Sequence, residues 1–180
     1  ERCTYGSLFE DTLSIDPHSA STADLRRVAH QRGLEEPPAL DDRDDWLALL
    51  MTSFIEPRLG DSAPLLVFDY PASQASLAKI RYDDPPVAER FEVYYRGVEL
   101  ANGFHELTDA AEQEKRFDAD RDRRHELGRR DAEIDERLVA ALASGMPSCA
   151  GVALGIDRLL MLKLGAESIE EVIQFPIDRA

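Results

Sequence analysis

Arg90-Phe-Glu-Val-Tyr-Tyr-Arg-Gly-Val-Glu-Leu-Ala-Asn-Gly-Phe-His-Glu106 is the stretch on which the reading of this chain turns. Aromatic and branched residues alternate with polar ones on either side of Arg96-Gly97. That pattern predicts two antiparallel strands joined by a two-residue loop. In this register Tyr95 pairs with Val98, Tyr94 with Glu99 and Glu92 with Ala101. Glu92, Tyr94 and Glu99 then share one face, with the two glutamates as diagonal neighbours about 7–8 Å apart. Phe91, Val93, Tyr95, Val98 and Leu100 point the other way, towards a core. A three-residue loop would instead put the two glutamates on opposite faces.

Two neighbouring carboxylates with no cation between them repel, and a divalent metal would turn that liability into a site. Oxygen ligands suit Mg²⁺, which takes one or two carboxylates and completes its shell with water and phosphates. The same pattern also suits two glutamates on the solvated face of a sheet. Asn102-Gly103 permits a bend or a close backbone approach to a ligand. Phe104 and Glu106 beyond it could hold an ammonium group by charge and cation–π attraction; the bland alternative is a core Phe beside a surface Glu. Strict alternation from Glu99 places Glu106 on the opposite face, so a bend at Asn102-Gly103 is needed to bring the two together.

A second constellation is Gly151-Val-Ala-Leu-Gly155-Ile-Asp-Arg158-Leu-Leu-Met161. An apolar strand carrying glycines lets a flat ring approach the backbone. Arg158, in the first turn of the following helix, can reach a phosphate. Asp157 suits the positive end of a helix dipole. A tightly packed strand–helix junction is the alternative reading.

Outward from these two stretches, Thr22 can cap a helix running to Gln31, with Gly33 as its left-handed stop. Glu35 to Leu40 reads as a connector. Asp41 to Asp45 open a second helix, with Trp46, Leu47, Leu49, Leu50 and Phe54 on its apolar face and Pro57 at its end. Leu65 to Phe68 reads as a buried strand, Pro71 to Ser76 as a turn and Leu77 to Tyr82 as a further strand. Thr108 to about Leu127 is a charge-rich helix with a solvated face. Asp131 to Ala143 is an amphipathic helix ending at Gly145, Cys149 to Leu154 a strand, and Ile156 to Leu164 a helix before Gly165. Strands mixed with helices without βαβ alternation give an α+β fold around an antiparallel sheet.

The bulk properties suit one domain of 180 residues, 43% hydrophobic and 32% charged,. The net charge of −15 speaks against a main RNA-binding surface, which needs cationic side chains against phosphates. No apolar run is long enough to span a membrane. Cys3 and Cys149 lack metal spacing, consistent with a reduced cytoplasmic protein. The opening Glu-Arg-Cys-Thr-Tyr has no initiator Met and reads as an internal cut.

Gly151 to Arg158 resembles motif 3 of class II aminoacyl-tRNA synthetases, and Phe91 to Glu106 resembles the preceding stretch of lysyl-tRNA synthetases. Phe91–Ala110, Tyr70–Ala78 and Met146–Leu162 resemble more closely still the elongation factor P–lysine ligase family. That family is a lysyl-tRNA synthetase paralogue that acylates a lysine of a protein rather than tRNA. The resemblance spans about Asp16 to Ala180, and its three motifs are highly specific. It implies a class II antiparallel sheet flanked by helices, here incomplete on its N-terminal side. Glu92 and Glu99 would bind Mg²⁺ and help place ATP, with Leu100 beside the nucleotide and Gly155 packed under the adenine. Arg158 would contact the phosphates as the catalytic cation. Glu106 would hold the side-chain ammonium of a lysine-type substrate in a pocket lined by Asn102 and Phe104. Elongation factor P would be the protein substrate, and the full-length protein a homodimer.

Two departures are informative. Lysyl-tRNA synthetases read Gly-x-Gly-x-Gly where this chain has Ala153 at the middle position. The extra methyl takes room from the bound amino acid and, in the ligase family, accompanies a preference for (R)-β-lysine over α-lysine. Motif 1, the dimer interface, and motif 2, whose arginine binds the α-phosphate, are not found. The chain is therefore expected to be the C-terminal portion of a catalytic domain, running to the natural C-terminus, and on its own not to form aminoacyl adenylate. Two rival readings are a true lysyl-tRNA synthetase and a non-catalytic nucleotide-binding remnant. Retained Glu92, Glu99, Glu106 and Arg158 weigh against the remnant.

Overall fold

A computed structural model describes residues 1–34, 40–130 and 133–177. Its centre is a six-stranded sheet of order β1-β2-β4-β5-β6, with β3 paired to β4. The strands are β1 (Arg2–Thr4), β2 (Leu65–Pro71), β3 (Ile80–Arg81), β4 (Val87–Tyr95), β5 (Val98–His105) and β6 (Ala150–Leu154). All pairings are antiparallel except β1 with β2, which is parallel. The α+β class stands, with a mixed edge that the sequence reading did not contain. The strand expected over Leu77 to Tyr82 shortens to β3, with Ala78 making one isolated bridge to Glu106.

The helices are α1 (Tyr5–Leu13), α2 (Thr22–Gln31), α3 (Arg43–Leu50), α4 (Ala110–Glu126), α5 (Glu136–Ala143) and α6 (Ile156–Leu164). Ser21, not Thr22, caps α2: its hydroxyl accepts from the Asp24 amide while Asp24 caps back, a reciprocal box,. Gly33 stops this helix with φ +83°. Asp42 caps α3, which runs on through a π-helical turn (Met51–Ile55) and a 3₁₀ turn containing Pro57. Most of the Glu35–Leu40 connector, and the first two residues of the segment expected as a helix from Asp131, lie outside the described residues. Within that segment α5 begins only at Glu136, after an Asp135 cap.

The main core lies between α1–α3 and one sheet face. Tyr5, Phe9, Leu25, Trp46, Leu47, Leu50, Ile55, Val67 and Tyr94 are its largest fully buried members, each contributing about 1.5–3 kcal/mol. Tyr5 stacks on Phe9 at 4.7 Å and tilts against Tyr70 at 4.8 Å. This corrects the expected orientation of the hairpin. The face carrying Glu92 and Tyr94 is the buried one, whereas Phe91, Val93, Tyr95 and Val98 are only half-buried. Burial of a glutamate on the core side is possible because its carboxylate is fully hydrogen-bonded, as described below. The opposite face continues into apolar surface on β6 and α6, where Val152, Ile156 and Leu164 are each more than 60% exposed.

Candidate functional site

Arg96 and Gly97 both have positive φ, 51° and 73°, as a tight hairpin loop requires. Tyr95 pairs with Val98 and Tyr94 with Glu99, as the alternation predicts. The register then slips. Val93 faces Ala101 and Glu92 faces Asn102, leaving Leu100 as an extra, unpaired residue. The expected Glu92–Ala101 pair is therefore wrong by one residue. A bulge reverses the alternation of the strand beyond it. Asn102, Phe104 and Glu106 consequently share the face of Glu92, Tyr94 and Glu99. The bend expected at Asn102-Gly103 sits instead at Leu100, which is buried and whose carbonyl accepts the Gly155 amide at 2.8 Å.

Strand β6 extends the same face. Ala153 lies opposite Asn102 and Gly151 opposite Phe104. The residues expected to form a site (Glu92, Glu99, Asn102, Phe104, Glu106 and Ala153) thus make one strip across three strands, with Arg158 at its Glu99 end.

Glu92 is 7% exposed and its two oxygens are saturated. Oε2 accepts from the hydroxyls of Tyr70, at 2.7 Å, and Tyr94. Oε1 accepts from Asn102 Nδ2, at 2.8 Å, and from Arg90. Arg90 also donates to the Gln74 carbonyl and stacks over the Tyr70 ring at 4.8 Å. Burial first, and the Glu92 charge second, push both tyrosine hydroxyls far above their ordinary range, so they remain neutral donors. The expectation of two carboxylates with no cation on their face is corrected: Arg90 neutralises Glu92, and Arg158 lies 3.4 Å from Glu99 Oε2.

Arg158 also donates to the Glu99 carbonyl at 2.8 Å. Its side chain is 48% exposed and that of Glu99 36%, so their ion pair is worth at most about 1 kcal/mol. A multiply charged anion would outcompete Glu99 for it. Gly155 is the N-cap of α6 and supplies no side-chain cap, leaving the first amides of that helix for an anionic partner. The three atoms nearest a Cβ at Gly155 would all belong to the Arg158 side chain, at 3.4–3.6 Å, ordinary contact distances that do not demand glycine there.

At the other end of the strip, the half-buried Glu106 carboxylate has no hydrogen bond or ion pair among the described residues. Its backbone is pinned on both sides, by the amide bonding the Cys149 carbonyl at 3.0 Å and by the bridge to Ala78. Phe104 is partly buried against the main core. A cavity of about 790 Å³ opens between α3, α4 and the sheet, with Tyr70, Arg90, Glu92 and Tyr94 in its wall; Asn102, Phe104, Glu106 and Arg158 lie outside that wall.

Sequence reasoning missed Tyr70, Arg90 and Glu56. Arg90 was available to it, since it stands two residues before Glu92 and so shares its face. Glu56 carried no signal: it enters from the turn after α3, where Tyr94 lies 3.1 Å from its carboxylate. Burial raises its pKa, and the charges of Glu92 and Glu99 raise it further. Glu56 therefore senses both of those charges, although no cluster of three metal-binding side chains occurs among the described residues. Both Glu92 oxygens are already bonded, so these donors fit a cation held chiefly by Glu99 and finished by water and phosphate, not a cage made by protein alone,.

Residues 16–179 match the family of class II tRNA synthetases for D, K and N. The elongation factor P–(R)-β-lysine ligase of Salmonella dublin is 52% identical over the whole chain. The ligases of the same name from Salmonella paratyphi B and Salmonella heidelberg are 51% identical. The chain spans 56% of the length of each of these relatives. With the hairpin, the glycine-spaced strand and the Arg158 helix assembled on one sheet, the chain belongs to the class II tRNA synthetase family of the D, K and N type.

Proposed function

We propose that this chain supplies the amino-acid pocket and part of the phosphate site of an ATP-dependent ligase. The enzyme activates a lysine-type amino acid, (R)-β-lysine in our reading, and transfers it to a lysine of elongation factor P. The observation that carries the reading is polarity along one strip: a carboxylate without a partner among the described residues, Glu106, at one end, and a displaceable arginine beside acidic residues at the other. A substrate with an ammonium at one end and a carboxylate to be activated at the other fits that polarity. The names of the relatives support the same choice of substrate and partner.

In this reading Glu106 receives the distal ammonium, and Asn102, held by Glu92, and Phe104 line the chain of the amino acid. Ala153 puts a methyl on the pocket floor opposite Asn102, which favours the β-amino acid. Arg158 turns from Glu99 to the phosphates of ATP as charge moves onto the leaving pyrophosphate. Leu100 and Gly155 form the backbone shelf beside the nucleotide. Glu99, with Glu92 after it releases one of its four donors, would hold Mg²⁺, which neutralises phosphate charge. In-line attack of the substrate carboxylate on the α-phosphorus gives an aminoacyl adenylate and pyrophosphate. The ε-amine of the target lysine then attacks the adenylate carbonyl to form the amide and release AMP. No side-chain covalent intermediate is required, so catalysis rests on positioning and electrostatics.

No helix among the described residues is long and apolar enough to cross a membrane. We place the reaction in the cytoplasm and the complete enzyme in a homodimer. The test is amino-acid-dependent ATP–pyrophosphate exchange by a version extended to the length of the relatives. Exchange with (R)-β-lysine that is lost in Glu106→Gln supports the reading; exchange indifferent to Glu106 overturns it. The 180-residue chain alone should be silent, and robust exchange by it would refute that expectation.

A further inference from the structure

The glycines of this chain are glycines for different reasons, and Gly151 stands apart. A Cβ built on Gly103 would lie 2.6 Å from both the Gly151 carbonyl and the Phe91 ring. One on Gly60 would lie 2.5 Å from the Tyr94 carbonyl. Those glycines serve the architecture, since backbone cannot retreat. A Cβ on Gly151 would lie 2.4 Å from Glu106 Oε1 and 3.6 Å from its Cδ, with no other atom of the described residues within 4 Å apart from its chain neighbours. The Glu106 carboxylate occupies the space that a side chain at residue 151 would fill.

We infer that Gly151 is a positioning residue. Its bare Cα forms the slot that holds the Glu106 carboxylate at the reach a lysine-type ammonium requires; this rests on the role proposed for Glu106 above. The Glu106 backbone is fixed on both sides, so the only freedom left is in its side-chain torsions, and the slot selects among them. Because this carboxylate has no other partner among the described residues, no hydrogen bond would restore its place if the slot were closed. A methyl at residue 151 must push Oε1 outward by about 1 Å to reach ordinary contact distance. The fold loses nothing by this, because the atom that moves is the free end of a flexible side chain. Misplacement of a binding group by about 1 Å is worth on the order of 100-fold.

The experiment is a double-mutant cycle of Gly151→Ala and Glu106→Asp in the protein extended to the length of its relatives. ATP–pyrophosphate exchange is read as KM and kcat for (R)-β-lysine, α-lysine and ATP, alongside the unfolding midpoint. Gly151→Ala should raise KM for the preferred amino acid by about 10- to 100-fold. The KM for ATP and the midpoint should stay near their wild-type values. In the Glu106→Asp background, whose shorter side chain withdraws from the new methyl, the same substitution should cost several-fold less. An unchanged amino-acid KM in Gly151→Ala overturns this inference while leaving the proposed function intact. A lowered midpoint with both KM values rising together assigns Gly151 to the fold and also overturns it. Absence of exchange by the wild type with either lysine overturns the functional reading and this inference together.

Discussion

Replacing Glu92 by alanine should cost more stability than any single partner of its carboxylate contributes. Four donors converge on that carboxylate, which is 7% exposed. Two have a second acceptor, Arg90 at the Gln74 carbonyl and Tyr94 at Glu56. The other two, the Tyr70 hydroxyl and the Asn102 amide, bond only to Glu92 among the described residues. Each buried donor left without an acceptor costs about 1–3 kcal/mol. The Arg90 charge, its side chain 22% exposed, also loses its counter-ion, which in a buried pair costs about 3–5 kcal/mol. Partial exposure and the second acceptors lower that figure, and we expect about 3–4 kcal/mol in all. Tyr70→Phe, which removes one donor together with its need for an acceptor, should cost only about 1 kcal/mol. Urea unfolding separates the two: with a slope near 2 kcal/mol/M, Glu92→Ala should move the midpoint down by about 1.5–2 M and Tyr70→Phe by about 0.5 M. A Glu92→Ala protein within 1 kcal/mol of wild type, or a Tyr70→Phe protein as damaged as Glu92→Ala, would refute the convergence argument.

Glu56→Gln tests the shared charge of the site through pH. The folded-state pKa of Glu56 is raised, so the native state binds its proton more tightly than the unfolded chain does. Its contribution to stability is present at acidic pH and is lost as pH rises through the folded pKa. The glutamine variant should therefore gain on wild type from pH 4 to pH 7, and a flat difference across that range would contradict the argument. Gly103→Ala should destabilise by about 2–3 kcal/mol, because its methyl meets a carbonyl and a ring,. Gly155→Ala should stay within about 0.5 kcal/mol of wild type by the same unfolding assay while weakening ATP binding. Arg158→Ala should leave the midpoint within about 1 kcal/mol but slow adenylate formation by on the order of 100- to 1,000-fold. A slowing below 10-fold would remove Arg158 from the catalytic step.

Much of this structure was legible in the sequence because the decisive elements are local. The Arg96-Gly97 loop, the span of α2, the helix from Ile156 to Leu164 and its Gly165 stop follow from turn chemistry and periodicity over a few residues. What failed was what depends on tertiary balance. No local rule announces that Leu100 is extra, because a bulge is settled by competition between two strands, and that one residue decides which face Glu106 occupies. The buried face of the hairpin was misjudged because hydrophobicity assigns Phe91, Val93 and Tyr95 to the core. It gives no credit to a glutamate whose four donors arrive from three strands. Neither β1 nor α1 was anticipated, although the Thr4 hydroxyl caps α1 through the Ser7 amide. Three residues of strand beside a nine-residue helix give too short a window for periodicity to speak. Glu92, Glu99, Asn102, Phe104, Glu106 and Ala153 lie side by side on three paired strands, whereas Tyr70, Arg90 and Glu56, which orient or charge them, emerge only from the packed sheet.

The nucleophile that receives the activated amino acid distinguishes the proposed ligase from a lysyl-tRNA synthetase. The protein extended to the length of its relatives would be incubated with ATP, Mg²⁺ and (R)-β-lysine, with α-lysine in parallel, in the presence of both elongation factor P and lysine tRNA. The mass of the intact factor and the acid-precipitable charging of the tRNA are read from the same tube. We expect a mass gain on elongation factor P equal to one acylation, larger with (R)-β-lysine, and uncharged tRNA. Charged tRNA beside an unmodified factor would contradict that expectation and make the protein a lysyl-tRNA synthetase.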